Sequence, residues 1–279
     1  MNDVTTIPPE RLGKGSSIRT EVLETDQDLY HDMARTMINM VRVNDAMGKP
    51  TVFILPVGPV GQYRRMARIC NLERISLRNL VALNMDEYLT DDGEWLPIDH
   101  PLSFRGHMQR NFLDLLDPEL APPPEQIIFP DPRDPSAIGQ RIEALGGVDI
   151  CYGGIGINGH IAFNEPPEPG VSMSVQDFAE LPTRVLELSR ETRTINSVTV
   201  ADGNIPLIPR LAITIGMKEI LGAREIRLYA NRPWQRAIVR RVLHGPVTEE
   251  VPGSLVQNHP HASLTMTQFV AQLPRRRLA

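Results

Sequence analysis

The sequence predicts an α/β fold with a mostly parallel sheet covered by helices on both faces. Three observations point there. Short apolar runs recur along the chain, amphipathic stretches separate several of them, and 279 residues with 41% hydrophobic content suffice for one large core. Apolar strands alternating with helical segments indicate a sheet buried on both sides, because each crossover helix covers a face.

Residues 1–20 contain Pro8, Pro9 and the run Gly13-Lys14-Gly15-Ser16-Ser17, and are expected to form a flexible arm. A helix is predicted next. Thr25 precedes Asp26 and Asp28, which suit a first turn, and Leu29, Met33, Met37, Met40 and Val41 recur at helical spacing. Such a stripe is expected in the core. After Gly48 and Pro50 the pattern changes, and apolar runs at 51–55, 80–83, 148–152, 211–215, 226–230 and 263–266 are predicted strands. Residues 135–145 and 233–243 are predicted helices. The stretch 165–182, with Pro166, Pro167, Pro169, Gly170 and Pro182, is a long irregular insertion, and such loops are often lids. One domain is therefore expected over 21–273, followed by a basic tail over 274–279.

Composition narrows the function. A formal net charge of −5 argues against a general nucleic-acid binder, which needs clustered cations. No run of eighteen apolar residues is present, so no membrane span is expected. Residues 1–19 lack the apolar core of a secretion signal, and a cytoplasmic location is expected. Cys70 and Cys151 are far apart in apolar contexts and read as buried thiols, not as metal ligands.

Ligands of such sheets bind beyond the carboxyl ends of the strands. Two segments lie there. Residues 154–159 satisfy the G-x-G-x-x-G pattern of dinucleotide sites, but that pattern requires a following helix. Pro166 and Pro167 would stop such a helix almost at once, so a nucleotide site is rejected. The glycines instead permit a sharp turn and close approach to a ligand. His160 and Glu165 flank the run Ile161–Asn164, where a carboxylate can fix an imidazole for acid–base work or simply make a structural hydrogen bond. The second segment is Asn84-Met85-Asp86-Glu87-Tyr88. Asp86 is either a base beside a carbonyl or imine carbon or the cap of a following helix, with Glu87 exposed.

Together these segments resemble the glucosamine-6-phosphate deaminase/isomerase family. Residues 84–88 match its N-M-D-E-Y motif, and 154–166 match G-I-G-x-[DN]-G-H-I-x-F-N-E-P. His100-Pro101-Leu102-Ser103-Phe104 is similar to its H-P-E-S-Y segment, and 211–216 and 255–260 are similar to later family stretches. The resemblance implies a Rossmann-like three-layer α/β/α sandwich that needs no metal, nucleotide or pyridoxal cofactor. It implies that His160, supported by Glu165 and Asn158, opens the sugar ring, and that Asp86 shuttles a proton between sugar carbons. An amino sugar would become a ketose with loss of ammonia. Expected substrate contacts are Gly58, Glu87, Gly154, Gly156, Gly159 and Arg236. The expected partner is a small-molecule sugar or sugar phosphate, with no nucleic acid and no membrane. A homo-oligomer is compatible with the resemblance, although no stretch marks an interface. A sugar lactonase, an aldose–ketose isomerase and a non-catalytic sugar-binding regulator are the alternatives.

The chain departs from the family where the substrate phosphate is held. The family's hydroxyl-bearing loop is replaced by the shorter Val57-Gly58-Pro59-Val60-Gly61-Gln62-Tyr63, and Pro59 has no N–H to donate. Val198 stands where an arginine is expected, and Gln235 where a lysine is expected. The sequence therefore predicts a sugar lacking the terminal phosphate or bearing another group. The competing reading is that Arg64, Arg65 or Arg236 reaches a phosphate from a new direction.

Overall fold

The computed structural model describes residues 3–275. Its strands, in chain order, are β1 (Arg19–Leu23), β2 (Thr51–Leu55), β3 (Leu80–Asn84), β4 (Asp86–Leu89), β5 (Ile127–Ile128), β6 (Ile150–Gly154), β7 (Arg184–Glu187), β8 (Leu211–Thr214), β9 (Glu225–Ala230) and β10 (Ala262–Thr267). The helices are α1 (Asp26–Ala46), α2 (Gln62–Glu73), α3 (Phe104–Asn111), α4 (Ser136–Ala144), α5 (Val175–Ala179), α6 (Arg190–Val200), α7 (Met217–Leu221), α8 (Arg236–His244) and α9 (Gln268–Ala271).

Seven strands form one sheet in the order β1-β10-β9-β6-β2-β3-β5, and its pairings are all parallel. Every residue of β2 and β3 is buried. Their side chains divide by the period of two that a strand imposes. Val52, Ile54, Val81 and Leu83 enter one core, whereas Phe53, Leu55, Leu80 and Ala82 enter the other. The expected layered α/β/α architecture is present. α1 follows from its sequence: the Thr25 hydroxyl accepts from Asp28 N at 3.2 Å, and the Asp28 carboxylate accepts from Thr25 N at 3.0 Å. Its stripe of Leu29, Met33, Met37 and Val41 is fully buried beneath the sheet's second face.

β4, β8 and β7 form a separate antiparallel sheet. β8 was expected in the parallel sheet, and its apolar run explains why: burial marks a strand without revealing its direction. Residues 3–20 also differ from expectation, residues 1–2 of the expected arm lying outside the described residues. Val4–Thr6 and Pro9–Arg11 are short 3₁₀ turns, Leu12 and Ile18 are buried, and β1 completes the sheet edge beside β10. The segment is docked where a loose arm was expected, because its few apolar side chains join the core. Of the basic tail, residues 276–279 lie outside the described residues.

The insertion 165–182 is anchored near its end, while residues 168–172 are exposed. Phe178 is buried in the first core, with Met173, Val175, Ala179 and Leu181 against it. Cys70 and Cys151 are buried and free, and burial raises both thiol pKa values, Cys70 to about 12. Among the described residues no helix is long and apolar enough to cross a membrane.

Candidate active site

A cleft opens at the carboxyl ends of β2, β3, β6 and β9, as the parallel topology requires. β3 delivers Asp86 to it. Met85 N donates to Leu55 O at 2.9 Å, and Ile215 N donates to Met85 O at 2.7 Å, so Met85 stitches the large sheet to the small one. Asp86 then pairs with Thr214 across β4 and β8. It lines the cleft at 7% exposure, and among the described residues its carboxylate has no hydrogen-bond partner. The capping role considered for it is therefore absent. Burial, reinforced by the neighbouring Glu87, pushes its pKa up to about 8.

Glu87 is placed otherwise than expected. Successive residues of a strand face opposite sides, and Glu87 faces away from the cleft. It is fully buried and accepts from Tyr88 N, Phe104 N and Arg105 N at 2.9 Å each, and from Ser103 Oγ at 3.0 Å. It thus caps the start of α3, which corrects both its expected substrate contact and the exposed alternative. Burial raises its pKa despite these four bonds.

The glycine-rich segment leaves β6 as a turn, with no helix behind it, in line with the rejection of a nucleotide site. Gly159 N donates to Gly156 O at 3.0 Å and Gly156 N to His160 O at 2.9 Å. Asn158 Oδ1 accepts from His160 N at 3.3 Å. Asn158 therefore shapes the turn and is not among the residues lining the cleft. Gly159, at φ +92°, stands behind the turn against Val251 and does not line the cleft either. Gly58, Gly154 and Gly156 do. A Cβ at Gly156 would lie 1.9 Å from His160 Nε2, so this glycine gives the imidazole its berth. The following turn is pinned to β8: Thr214 Oγ1 accepts from Phe163 N at 2.9 Å, and Asn164 Nδ2 donates to Ile215 O at 2.8 Å. β8 consequently fixes the segments that carry Asp86 and His160 relative to each other.

His160 is 9% exposed, and burial lowers its pKa to about 4, leaving a neutral imidazole at neutral pH. Its Nδ1 lies 3.4 Å from Thr192 Oγ1 and 3.7 Å from Glu165 Oε1. The Thr192 hydroxyl also lowers the Glu165 pKa, against the burial that raises it, so it stands close to both acid and imidazole. Glu165 accepts from Ser189 N at 2.6 Å and from Ser189 Oγ at 3.0 Å, at the start of α6. Burial still raises its pKa, and at 3.7 Å it does not hold His160 in the charged form. It backs His160 without lining the cleft. Sequence reasoning missed Thr192 and Ser189; only the helix-start pattern Ser189-x-x-Thr192 signalled them.

The far wall lacks the phosphate ligands that the resemblance implies. Val57, Gly58, Pro59 and Val60 form it on one side, with Asn231, Arg232, Trp234 and Gln235 on the other. The Gln235 amide is engaged at both ends, donating to Ile155 O and accepting from Arg232 N at 2.7 Å each. Arg236 is turned away, its Nε donating to Phe269 O at 2.8 Å, which corrects its expected substrate contact. One position along a helix rotates a side chain by about 100°, which is the physical reason. Arg64 is held by Asn111, Arg65 is held by Gln27, and neither lines the cleft.

Comparison with known proteins places these features in a family. The fold is shared with a solved monomeric glucosamine-6-phosphate deaminase (TM-score 0.76, 28% identity, 92% of this chain and 100% of that one). It is shared also with 6-phosphogluconolactonase from Trypanosoma brucei (TM-score 0.67, 17% identity, 92% and 98%), a likeness of fold alone. No protein-family model matches the chain. Together the fold and the strand-end cleft define a Rossmann-like α/β protein. Among sequence relatives, the glucosamine-6-phosphate deaminase of Porphyromonas gingivalis is 34% identical over 247 residues, covering 85% of this chain and 87% of its own. That of Haemophilus influenzae is 29% identical over 259 residues, covering 90% and 89%. The chain belongs to the glucosamine-6-phosphate deaminase family.

Proposed function

We propose that this enzyme converts a 2-amino-2-deoxyaldose to the ketose with release of ammonia, using Asp86 and His160. The reading rests on one observation above all. A buried carboxylate without a protein partner shares a cleft with a buried, neutral histidine. Neutral His160 moves a proton between the ring oxygen and the anomeric hydroxyl as the ring opens. Ionised Asp86 then takes the proton from carbon two and returns it to carbon one. Water adds to the resulting imine at carbon two, and ammonia leaves. Amino sugar plus water thus gives ketose plus ammonia, with no redox change. Glu165 and Thr192 hold the imidazole, while Asn158 and Gly156 shape its seat.

The substrate is further proposed to lack the usual terminal phosphate. Charge-assisted hydrogen bonds contribute roughly 1.5–3 kcal/mol each; Gln235 and Arg236 are committed elsewhere, and Arg232 is the single cation left at the cleft among the described residues, too few for a dianion. Ammonia release from glucosamine, galactosamine and their 6-phosphates, with Asp86→Asn as control, tests both parts. Turnover of a free amino sugar that the variant loses is the expected result. Saturable turnover of the 6-phosphates alone would keep the chemistry and sink the altered specificity. The lactonase alternative has only a likeness of fold behind it.

A further inference from the structure

The cleft contains one cation that the proposed proton shuttle does not use. Arg232 is the only Arg or Lys among the described residues lining the cleft. It is half-buried, and among those residues its side chain has no ion pair and no hydrogen bond. Its position is defined by the end of β9 and by Tyr30. Asn231 Nδ2 donates to the Tyr30 hydroxyl at 3.0 Å, and Gly61 lies so close to the Tyr30 ring that a Cβ there would come within 2.3 Å of it. Burial and then Asp26 raise the Tyr30 pKa, whereas Arg232 and the Asn231 bond oppose them, so the guanidinium stands near that hydroxyl. Arg232 and residues 57–60 thus line the same cleft.

We propose that Arg232 receives a carboxylate carried by the substrate at the end remote from its amino group, making the substrate class a 2-amino-2-deoxyuronic acid. This inference rests on the deaminase reading above. The charge count favours it. One guanidinium matches one negative charge, and its planar fork fits the two oxygens of a carboxylate. A phosphate dianion would find no second cation there, no Ser or Thr hydroxyl on the loop and no N–H at Pro59. A neutral hydroxymethyl group would leave the guanidinium without a charged partner in the cleft.

The test compares ammonia release from 2-amino-2-deoxyglucuronate, glucosamine and glucosamine 6-phosphate, with wild type, Arg232→Leu and Arg232→Lys. The expected result is the highest kcat/KM for the uronate. Its advantage over glucosamine should fall by about tenfold or more in Arg232→Leu and recover in part in Arg232→Lys. Preference for the 6-phosphate, or a uronate-to-glucosamine ratio indifferent to Arg232, would overturn the inference and leave the deaminase reading standing. If no substrate yields ammonia, the deaminase reading fails, and thermal-shift titration with the uronate decides the rest. A shift present in wild type and lost in Arg232→Leu would sustain the carboxylate site, and no shift would overturn it.

Discussion

Asp86 and His160 carry opposite consequences of the same burial. Desolvation disfavours the charged form of each, raising the acid to about 8 and lowering the base to about 4. His160 is therefore neutral throughout the working range, and the ionisation of Asp86 should govern the rate. We expect kcat/KM to rise with pH through about 8 and then level off, with Asp86→Asn lowering turnover by about 10²–10⁴-fold. A flat pH profile between 6 and 9 would contradict this. Stability should move the other way. The folded pKa of Asp86 stands above its unfolded value of 3.8, so its contribution is intact below about 4 and is lost as pH rises through about 8. Asp86→Asn should accordingly melt above wild type at pH 8 and match it near pH 4, as calorimetry would show. Both residues were legible because their motifs follow strands. Glu87 was not, since adjacency in sequence hides the alternation that sends it to the other face of β4.

Single contacts at the ends of elements set the geometry of the cleft. Gly156 is the clearest case. A methyl group there would collide with the imidazole of His160, a side chain that can rotate out of place, and not with backbone. Gly156→Ala is expected to keep the fold by circular dichroism and to lose about 10²-fold or more in turnover. Glu87→Ala should act on stability, because it leaves the N–H groups of Phe104 and Arg105 unpaired at the start of α3. A loss of about 2–4 kcal/mol is expected in denaturant melts. The insertion 165–182 supplies no residue to the cleft, so shortening its exposed part, 168–172, should leave KM unchanged. The positions of β2, β3, β6, β9 and β10 were legible as apolar runs. β1 and β7 were hidden because they are edge strands with mostly half-exposed side chains, and the direction of β8 is set by partners far along the chain.

Across the whole molecule, the two ends of the chain meet at Arg240. This side chain is fully buried and donates to Ile7 O, Arg236 O and Ala271 O at 2.7–2.8 Å, without an acid partner among the described residues. It ties the N-terminal segment to α8 and α9, and thus encloses the core beneath the cleft's far wall. Arg240→Met leaves the Ile7 and Ala271 carbonyls without this donor and should cost about 3 kcal/mol, on the order of 5 °C in Tm. Nothing in the sequence near Ile7 announces this contact, because it joins residues 233 positions apart. The layered architecture was legible for the converse reason: each strand and its neighbouring helix advertise burial within a short window.

Met85 gives the molecule a property that neither sheet has alone. It is fastened on one side to β2 and on the other to the residue after β8. The acid that follows it is therefore mounted on a joint with no slack. The same cleft is lined further by the last turns of α6 and by the segments bearing Val60 and Trp234. A substitution that loosens either attachment of Met85 should therefore displace the reacting carboxylate without altering any residue that touches the sugar.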